Sequence, residues 1–277
     1  PFARERSPVT EGSSKRPGGA LAAQPAAGGG WEWTTASNLS SPSNPGAGYD
    51  AHHACLAMGA DGTLFAVWSA MVSGYPVLHY SLGHDGSWTP PASCYLGEEP
   101  DLVVMADGTV HLLFSSELGG SYDIYHAQWE GTGWSWPDNV SQTSGNSTQP
   151  AGACSALGQL VVVWTDNTEG FTRIYYGWRV GELWNTYFVP ASAKGFSPDL
   201  AAGSGDRLWV CWQVAQPSGF YDVYAIYGSG QDWAAFAINV SDSAQIDSVA
   251  PTLAGAKGYG AFLAWQEGQT DPVIQYA

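Results

Sequence analysis

Five segments of this chain share one spacing, and that spacing constrains the fold more than any other feature. They read "GTLFAVWSA" (62–70), "GTVHLLFSS" (108–116), "GQLVVVWTD" (158–166), "DRLWVCWQV" (206–214) and "YGAFLAWQE" (259–267). Each carries a large aromatic residue near its end: Trp68, Phe114, Trp164, Trp212 and Trp265. Fourteen residues before it stands Pro100, Pro150, Pro198 or Pro251, with Ala54 in that place in the first unit. Eleven or twelve residues after it comes Tyr80, Tyr125, Tyr175, Tyr224 or Tyr276. Eight or nine further on, four units add Trp88, Trp134, Trp184 or Trp233. Self-similarity with a period of about 20–50 residues marks solenoids, propellers or arrays, because one unit cannot bury its apolar face alone. Apolar runs such as "LVVVW" between glycine-containing turns read as strands joined in hairpins.

The fifth unit stops at Ala277, one residue past its tyrosine, so it lacks a fourth strand. At the other end, "WEWTTASNLS" (31–40) resembles the close of a unit, as "GWSWPDNVS" (133–141) and "DWAAFAINVS" (232–241) do. The two ends are complementary parts of one sheet, whereas an open solenoid needs polar capping repeats. The expected fold is therefore all-β: a five-bladed β-propeller over residues 31–277, with four antiparallel strands per blade. The N-terminal strand with Trp31 and Trp33 is expected to join the C-terminal blade at Val273 and Tyr276 and close the ring. In each blade the first strand should follow the proline and line the axis. The second should end on the aromatic, the third hold the tyrosine and the fourth the outer tryptophan. The aromatics are read as core between blades.

Composition fits an all-β chain: 14 Trp, 14 Tyr and 35 Gly, with charged residues at only 12%. The net charge of −16 argues against nucleic acid, since few cations are present to displace counterions from phosphate. No apolar run reaches the roughly 18 residues of a membrane helix, so no membrane insertion is expected. Few lysines, many aromatics and four cysteines suit an extracellular or cell-surface location.

The pattern of "IYY" (174–176) followed by Gly, Trp and the "VS" and Pro positions resembles bacterial extracellular propellers with sialidase-like repeats, over residues 31–277. The Asp-box turn of that family has the form S-x-D-x-G-x-T-W. In "SLGHDGSW" (81–88), Ser81, Ser87 and Trp88 fit it, but Gly83 replaces the aspartate and Asp85 the glycine. The resemblance thus implies an architecture and not an activity. A sialidase would need three arginines converging on a carboxylate. Arg173 and Arg179 fall in one unit and Arg207 in the next, at strand positions that do not converge.

Glycosidase chemistry needs two carboxylates about 5–10 Å apart. The starts of the inner strands offer Asp50, Glu98, Glu99, Asp101 and Asp199. Asp101 and Asp199 recur directly after the proline, which favours a role in holding backbone N–H groups, so no catalytic residue is assigned. His52 and His53 break the repeat in "YDAHHACLAMG", near the expected axis, but no ligand spacing accompanies them. No metal and no cofactor is assigned. "NLS" (38–40), "NVS" (139–141), "NST" (146–148) and "NVS" (239–241) match the glycosylation acceptor pattern, and all but "NST" recur at one place in the unit, which reads as a structural turn in a bacterial protein and as a sugar-bearing loop in a glycosylating host. For Cys55, Cys94, Cys154 and Cys211 the preferred pairings are Cys55–Cys94 and Cys154–Cys211.

Residues 1–30 are rich in Gly, Ala and Pro and carry a net charge of +2, leaving −18 for the rest of the chain. Fully extended, 30 residues reach up to about 100 Å, enough to cross to a neighbouring subunit. With so poor a catalytic inventory, the leading expectation is a non-enzymatic structural subunit of an extracellular filament or tube. Its extended arm, with Phe2, Arg4, Arg6, Val9, Lys15 and Arg16, would dock on the next copy in an open helical homo-oligomer. A carbohydrate-binding, lectin-like propeller with glycans as partners is the alternative, and a glycosidase the second alternative.

Overall fold

The computed structural model describes residues 38–40 and 50–277, except 204, 231, 244, 257–259, 270 and 271. The chain divides into two units, Pro1–Asn38 and Leu39–Ala277, and the second is the body described below. Phe2, Arg4, Arg6, Val9, Lys15, Arg16, Trp31 and Trp33 lie outside the described residues.

Among the described residues the body is all-β, with five antiparallel sheets in chain order. The first holds β1 (Ala51–Met58), β2 (Leu64–Val72), β3 (Tyr75–His84), β4 (Ser87–Trp88) and β5 (Ala92–Leu96), the last two both pairing with β3. The second runs β6 (Glu98–Val104), β7 (Val110–Ser116), β8 (Asp123–Gln128) and β9 (Asp138–Asn139). The third runs β10 (Ser147–Cys154), β11 (Leu160–Asp166), β12 (Arg173–Val180) and β13 (Leu183–Phe188). The fourth runs β14 (Gly195–Ala202), β15 (Leu208–Ala215), β16 (Tyr221–Gly228) and β17 (Ile238–Asn239). The fifth has three strands, β18 (Ser248–Ala256), β19 (Gly260–Glu267) and β20 (Val273–Tyr276). The first strands of successive sheets neighbour one another, β1 with β6, β6 with β10, β10 with β14 and β14 with β18, as in a propeller.

Every first strand carries a bulge at the same rung. Register shifts fall between His52 and Cys55, Glu98 and Asp101, Thr148 and Ala151, Phe196 and Asp199, and Val249 and Thr252. In each, two residues oppose the single large aromatic of the second strand. The first of the two is always left-handed: His53 (φ 49°), Glu99 (54°), Gln149 (59°), Ser197 (51°) and Ala250 (50°). The prolines follow these residues and lie inside the strands, correcting the expectation that each strand starts after its proline. A ring nitrogen without a hydrogen is tolerated where the extra residue has already broken the ladder.

The second strands supply the core, as expected of the repeat aromatics. Phe114, Trp164 and Trp212 are fully buried, and Trp68 and Trp265 nearly so. One cluster joins Val67 and Leu78 of the first sheet to Leu112 and Phe114 of the second. Another joins Leu113, Ile124 and Val140 to Leu160, Val162 and Trp164. A third joins Val163 and Ile174 to Val210 and Trp212, and a fourth joins Cys211 and Val223 to Leu263 and Trp265. Each fully buried large apolar side chain is worth roughly 1.5–3 kcal/mol.

The tyrosine spacing hides two registers. Tyr125, Tyr175 and Tyr224 pair with Phe114, Trp164 and Trp212, but Trp68 pairs with His79 and Trp265 with Gln275. Tyr80 and Tyr276 are one residue off and so face the other side of their sheets. The outer tryptophan also differs between units. Trp88 and Trp184 lie in fourth strands, whereas Trp134 and Trp233 make only isolated bridges to Trp129 and Gly228.

The Asn-Val-Ser tripeptide is a clasp on the third strand. Asn139 Nδ2 donates to Asp123 Oδ2 at 2.9 Å, and Ser141 Oγ to Asp123 Oδ1 at 2.7 Å. Asn239 and Ser241 repeat both bonds on Asp222, at 2.9 and 3.3 Å. Val140 and Val240 point the other way, into the core.

All four cysteines are thiols, which corrects both expected pairings. Cys55 and Cys94 pack on the same cluster without bonding, while Cys154 and Cys211 belong to different clusters two interfaces apart. Burial pushes the Cys94 thiol up to about 12 and also raises those of Cys55 and Cys211.

Candidate functional site

Among the described residues two places with polar side chains bear on function, and sequence reasoning reached one of them. At the inner rim, Asp101 Oδ2 accepts the Gly152 N–H at 2.8 Å, and Asp199 Oδ2 accepts the Leu253 N–H at 2.7 Å. Each carboxylate thus ties its strand to the first strand of the next sheet, as the recurrence after proline suggested. Glu99 does the same one rung away, accepting the Gln149 N–H at 2.7 Å and the Ser115 hydroxyl at 3.0 Å. Gln149 then accepts the Ser197 N–H at 3.0 Å, and Gln213 the Ala250 N–H at 2.9 Å. These groups are occupied in holding the sheets together. Asp50 is exposed, its backbone oxygen bonded to His52, and Glu98 lies half-buried beside the two histidines.

The second place is a cleft of about 390 Å³ at the outer strands of the second and third sheets. It is lined by His126, Gln128, Glu130, Ser135, Trp136, Asp138, Arg179 and Glu182. Trp136 is 92% exposed, an indole offered to solvent beside charged groups. Strand alternation places His111 on β7 and His126 on β8 on the same face, and Asp138 pairs opposite His126 across β8 and β9.

The three side chains form one hydrogen-bonded line, whose directions can be worked out. The Thr109 hydroxyl donates to Asp107 Oδ1 at 2.7 Å, so it must accept from His111 Nε2, 3.0 Å away. Burial, then the positive charges of His126 and Arg179, push His111 down to about 4, so near pH 7 it is neutral with its proton on Nε2. His111 Nδ1 therefore accepts from His126 Nε2 at 2.7 Å. The other nitrogen of His126 lies 2.7 Å from Asp138 Oδ1. One proton must occupy that contact, shared between a buried imidazole and a partly exposed carboxylate.

Two neighbours tune where that proton lies. Burial acts to raise the Asp138 carboxyl, but the His126 bond and charge, the Trp184 N–H at 2.7 Å and Arg179 together hold it below the usual carboxylate range. Arg179 Nη1 lies 3.4 Å from His126 Nδ1, and its charge helps keep the Asp138 carboxylate ionised. The Arg179 Nε is buried without a hydrogen-bond partner. The line is thus a hydrogen-bonded relay that ends on an ionised carboxylate lining the cleft.

Sequence reasoning missed this site. Asp138 precedes the Asn-Val-Ser turn and is given no role there, and Arg179 figures only as one of three arginines that do not converge; Arg173 lies against Glu169 and Arg207 over Tyr227.

No protein-family model matches the chain, and no curated protein matches it. Solved structures do. The chain is similar to a Hadza microbial sialidase, Hz136, with a TM-score of 0.62 and 14% identity over 82% of this chain, which spans 56% of that protein. It is similar to an α-L-arabinanase of Penicillium chrysogenum complexed with arabinobiose, with a TM-score of 0.60 and 14% identity over 81% of this chain and 77% of that one. A polysaccharide lyase of family PL25, an ulvan lyase, gives a TM-score of 0.58 and 10% identity over 81% of this chain and 67% of that one. The likeness establishes a propeller fold of sialidase-like type. It overturns the expectation of a non-enzymatic filament subunit, since the fold is shared with enzymes that act on glycans. The arm on which that expectation rested lies outside the described residues.

Proposed function

We propose that this chain is a carbohydrate-active protein that holds a glycan in the cleft between the second and third sheets and cleaves its glycosidic bonds there. The observation that carries this reading is the exposed Trp136 indole beside the His111–His126–Asp138 relay. An aromatic face stacks on the apolar face of a sugar ring, while Gln128, Ser135 and Arg179 offer donors to its hydroxyls. Asp138, held ionised by His126, Trp184 and Arg179, is the carboxylate that acts as base or nucleophile, and His126 positions it. Glu130 and Glu182 line the same cleft and provide the second carboxylate that hydrolysis requires. A glycan substrate also suits a protein working outside the cell.

The test is a panel of neutral and acidic polysaccharides, read by reducing-end release and by affinity electrophoresis. Trp136→Ala should weaken retardation of the active substrate at least tenfold. Asp138→Asn should abolish cleavage with retardation kept. Unsaturated products would reassign the chemistry to elimination in the same cleft. If no polysaccharide is bound or cleaved, the reading falls.

We also infer that the five sheets form one ring sealed by the segment before Asn38. Val67 faces the second sheet, while Ala66, Trp68 and Ala70 on the other face of β2 pack against Leu39. Leu39 corresponds in the repeat to Val140 and Val240, each of which reaches from its own sheet to the next. By that correspondence Leu39 belongs to the fifth sheet and reaches the first. The fifth sheet supports this: its described strands number three, and Phe262, Val273, Ile274 and Tyr276 are all more than half exposed. Deleting residues 1–30 should leave the thermal transition unchanged, whereas deleting 1–40 should lower it sharply. Equal melting of both deletions would refute closure.

A further inference from the structure

We propose that His52, His53 and Glu98 form a binding site for a divalent transition metal, with zinc the best fit, at the junction of the first two inner strands. The nitrogen and oxygen ligand atoms of the three side chains all lie within 4.8 Å of one another. Ligands on one tetrahedral zinc stand about 3.3 Å apart, so the three atoms need to close by at most about 1.5 Å to share an ion.

Neighbouring residues of a strand normally point to opposite faces. His52 and His53 escape that rule because His53 is the left-handed bulge residue of β1, at φ 49°. The bulge turns both imidazoles to one side, with ring centroids 4.7 Å apart at 75°. The same rung in the other sheets carries Glu99, Gln149, Ser197 and Ala250, which are coupled to the next strand or apolar. Only the first unit places two adjacent imidazoles there.

The surroundings are those of a ligand set. His52 Nδ1 lies 2.8 Å from the Asp50 carbonyl, so that nitrogen carries the proton and Nε2 keeps its lone pair for a metal. The Tyr122 side chain lies beside the Glu98 carboxylate. Two neutral imidazoles and one carboxylate satisfy a borderline divalent ion better than calcium or magnesium, which take oxygen ligands. A bound ion would join β1 to β6 and keep at least one coordination position open toward solvent on the exposed His53 side. The site is separate from the outer cleft and does not depend on the glycan reading.

The test uses the full chain, dialysed against a chelator and titrated calorimetrically with zinc chloride, with cobalt as a spectroscopic stand-in. One ion should bind per chain, and cobalt should give the visible absorption of a four-coordinate site. His52→Ala and Glu98→Gln should each weaken zinc at least tenfold. His53→Asn should do so while keeping a side chain that tolerates the left-handed backbone. Melting curves in chelator should match wild type, showing that the variants fold. The proposal is overturned if wild type binds zinc no tighter than about 1 mM, or if all three variants bind as wild type does.

Discussion

Replacing Asp101 by Asn should change how stability depends on pH, in a direction opposite to that of most carboxylates. Asp101 is half-buried on β6 and accepts the Gly152 N–H of the next sheet. Burial pushes its carboxyl from 3.8 up to about 6, and the nearby charge of Asp199 adds to this. Below pH 4 the group is protonated in both folded and unfolded chains and contributes nothing to the pH slope. Between 4 and 6 the folded chain keeps a proton that the unfolded chain has lost, so stability falls as pH rises. Above 6 the deficit is constant. At about 1.4 kcal/mol per tenfold change in proton activity, it amounts to about 3 kcal/mol at most, less whatever solvent screening the half-buried site allows. Asn keeps an oxygen for the Gly152 N–H and removes the charge. Urea unfolding at pH 4, 5, 6 and 7 should show the variant gaining about 2–3 kcal/mol on wild type across that range. A variant-minus-wild-type difference that stays flat, or falls, would refute the argument that burial governs this carboxylate.

Asp222→Ala should cost about 2–4 kcal/mol, because it strips the partners of Asn239, Ser241 and Ser243 at a buried position, and calorimetric melting reads the loss directly. Alkylation in denaturant without reductant should label all four cysteines, while in the folded chain Cys211 should stay unlabelled; a mass short of four adducts would mean that a disulfide forms after all.

The repeat made the sheet order legible, because spacing between an aromatic and its neighbours survives wherever two strands must pack on the same core. It concealed features that depend on pairing across strands. Tyr80 keeps the twelve-residue spacing from Trp68 yet pairs with Val67, since the hairpin between β2 and β3 differs from that between β15 and β16. Pro100 looked like a strand boundary because proline usually breaks a ladder, and nothing in the composition announces that Glu99 turns left-handed before it. The relay was hidden for the same reason. His111 and His126 lie fifteen residues apart on neighbouring strands, and that separation signals a pair only when the hairpin register is known. Asp138 stands next to the Asn-Val-Ser clasp with no spacing signal of its own, and its side chain serves the cleft and not the turn. Asp101 and Asp199 read as holders of backbone N–H groups because they recur after proline, and each accepts one from the next sheet.

The five left-handed bulge residues also bear on how such a protein can change. His53, Glu99, Gln149, Ser197 and Ala250 occupy equivalent backbone and share no side-chain chemistry. Their conformation is set by the bulge and the bulky ring across the ladder, so the side chains at these five positions can differ while the hydrophobic interior stays as it is. A scaffold of this kind separates heritable novelty from folding: recognition can drift one blade at a time.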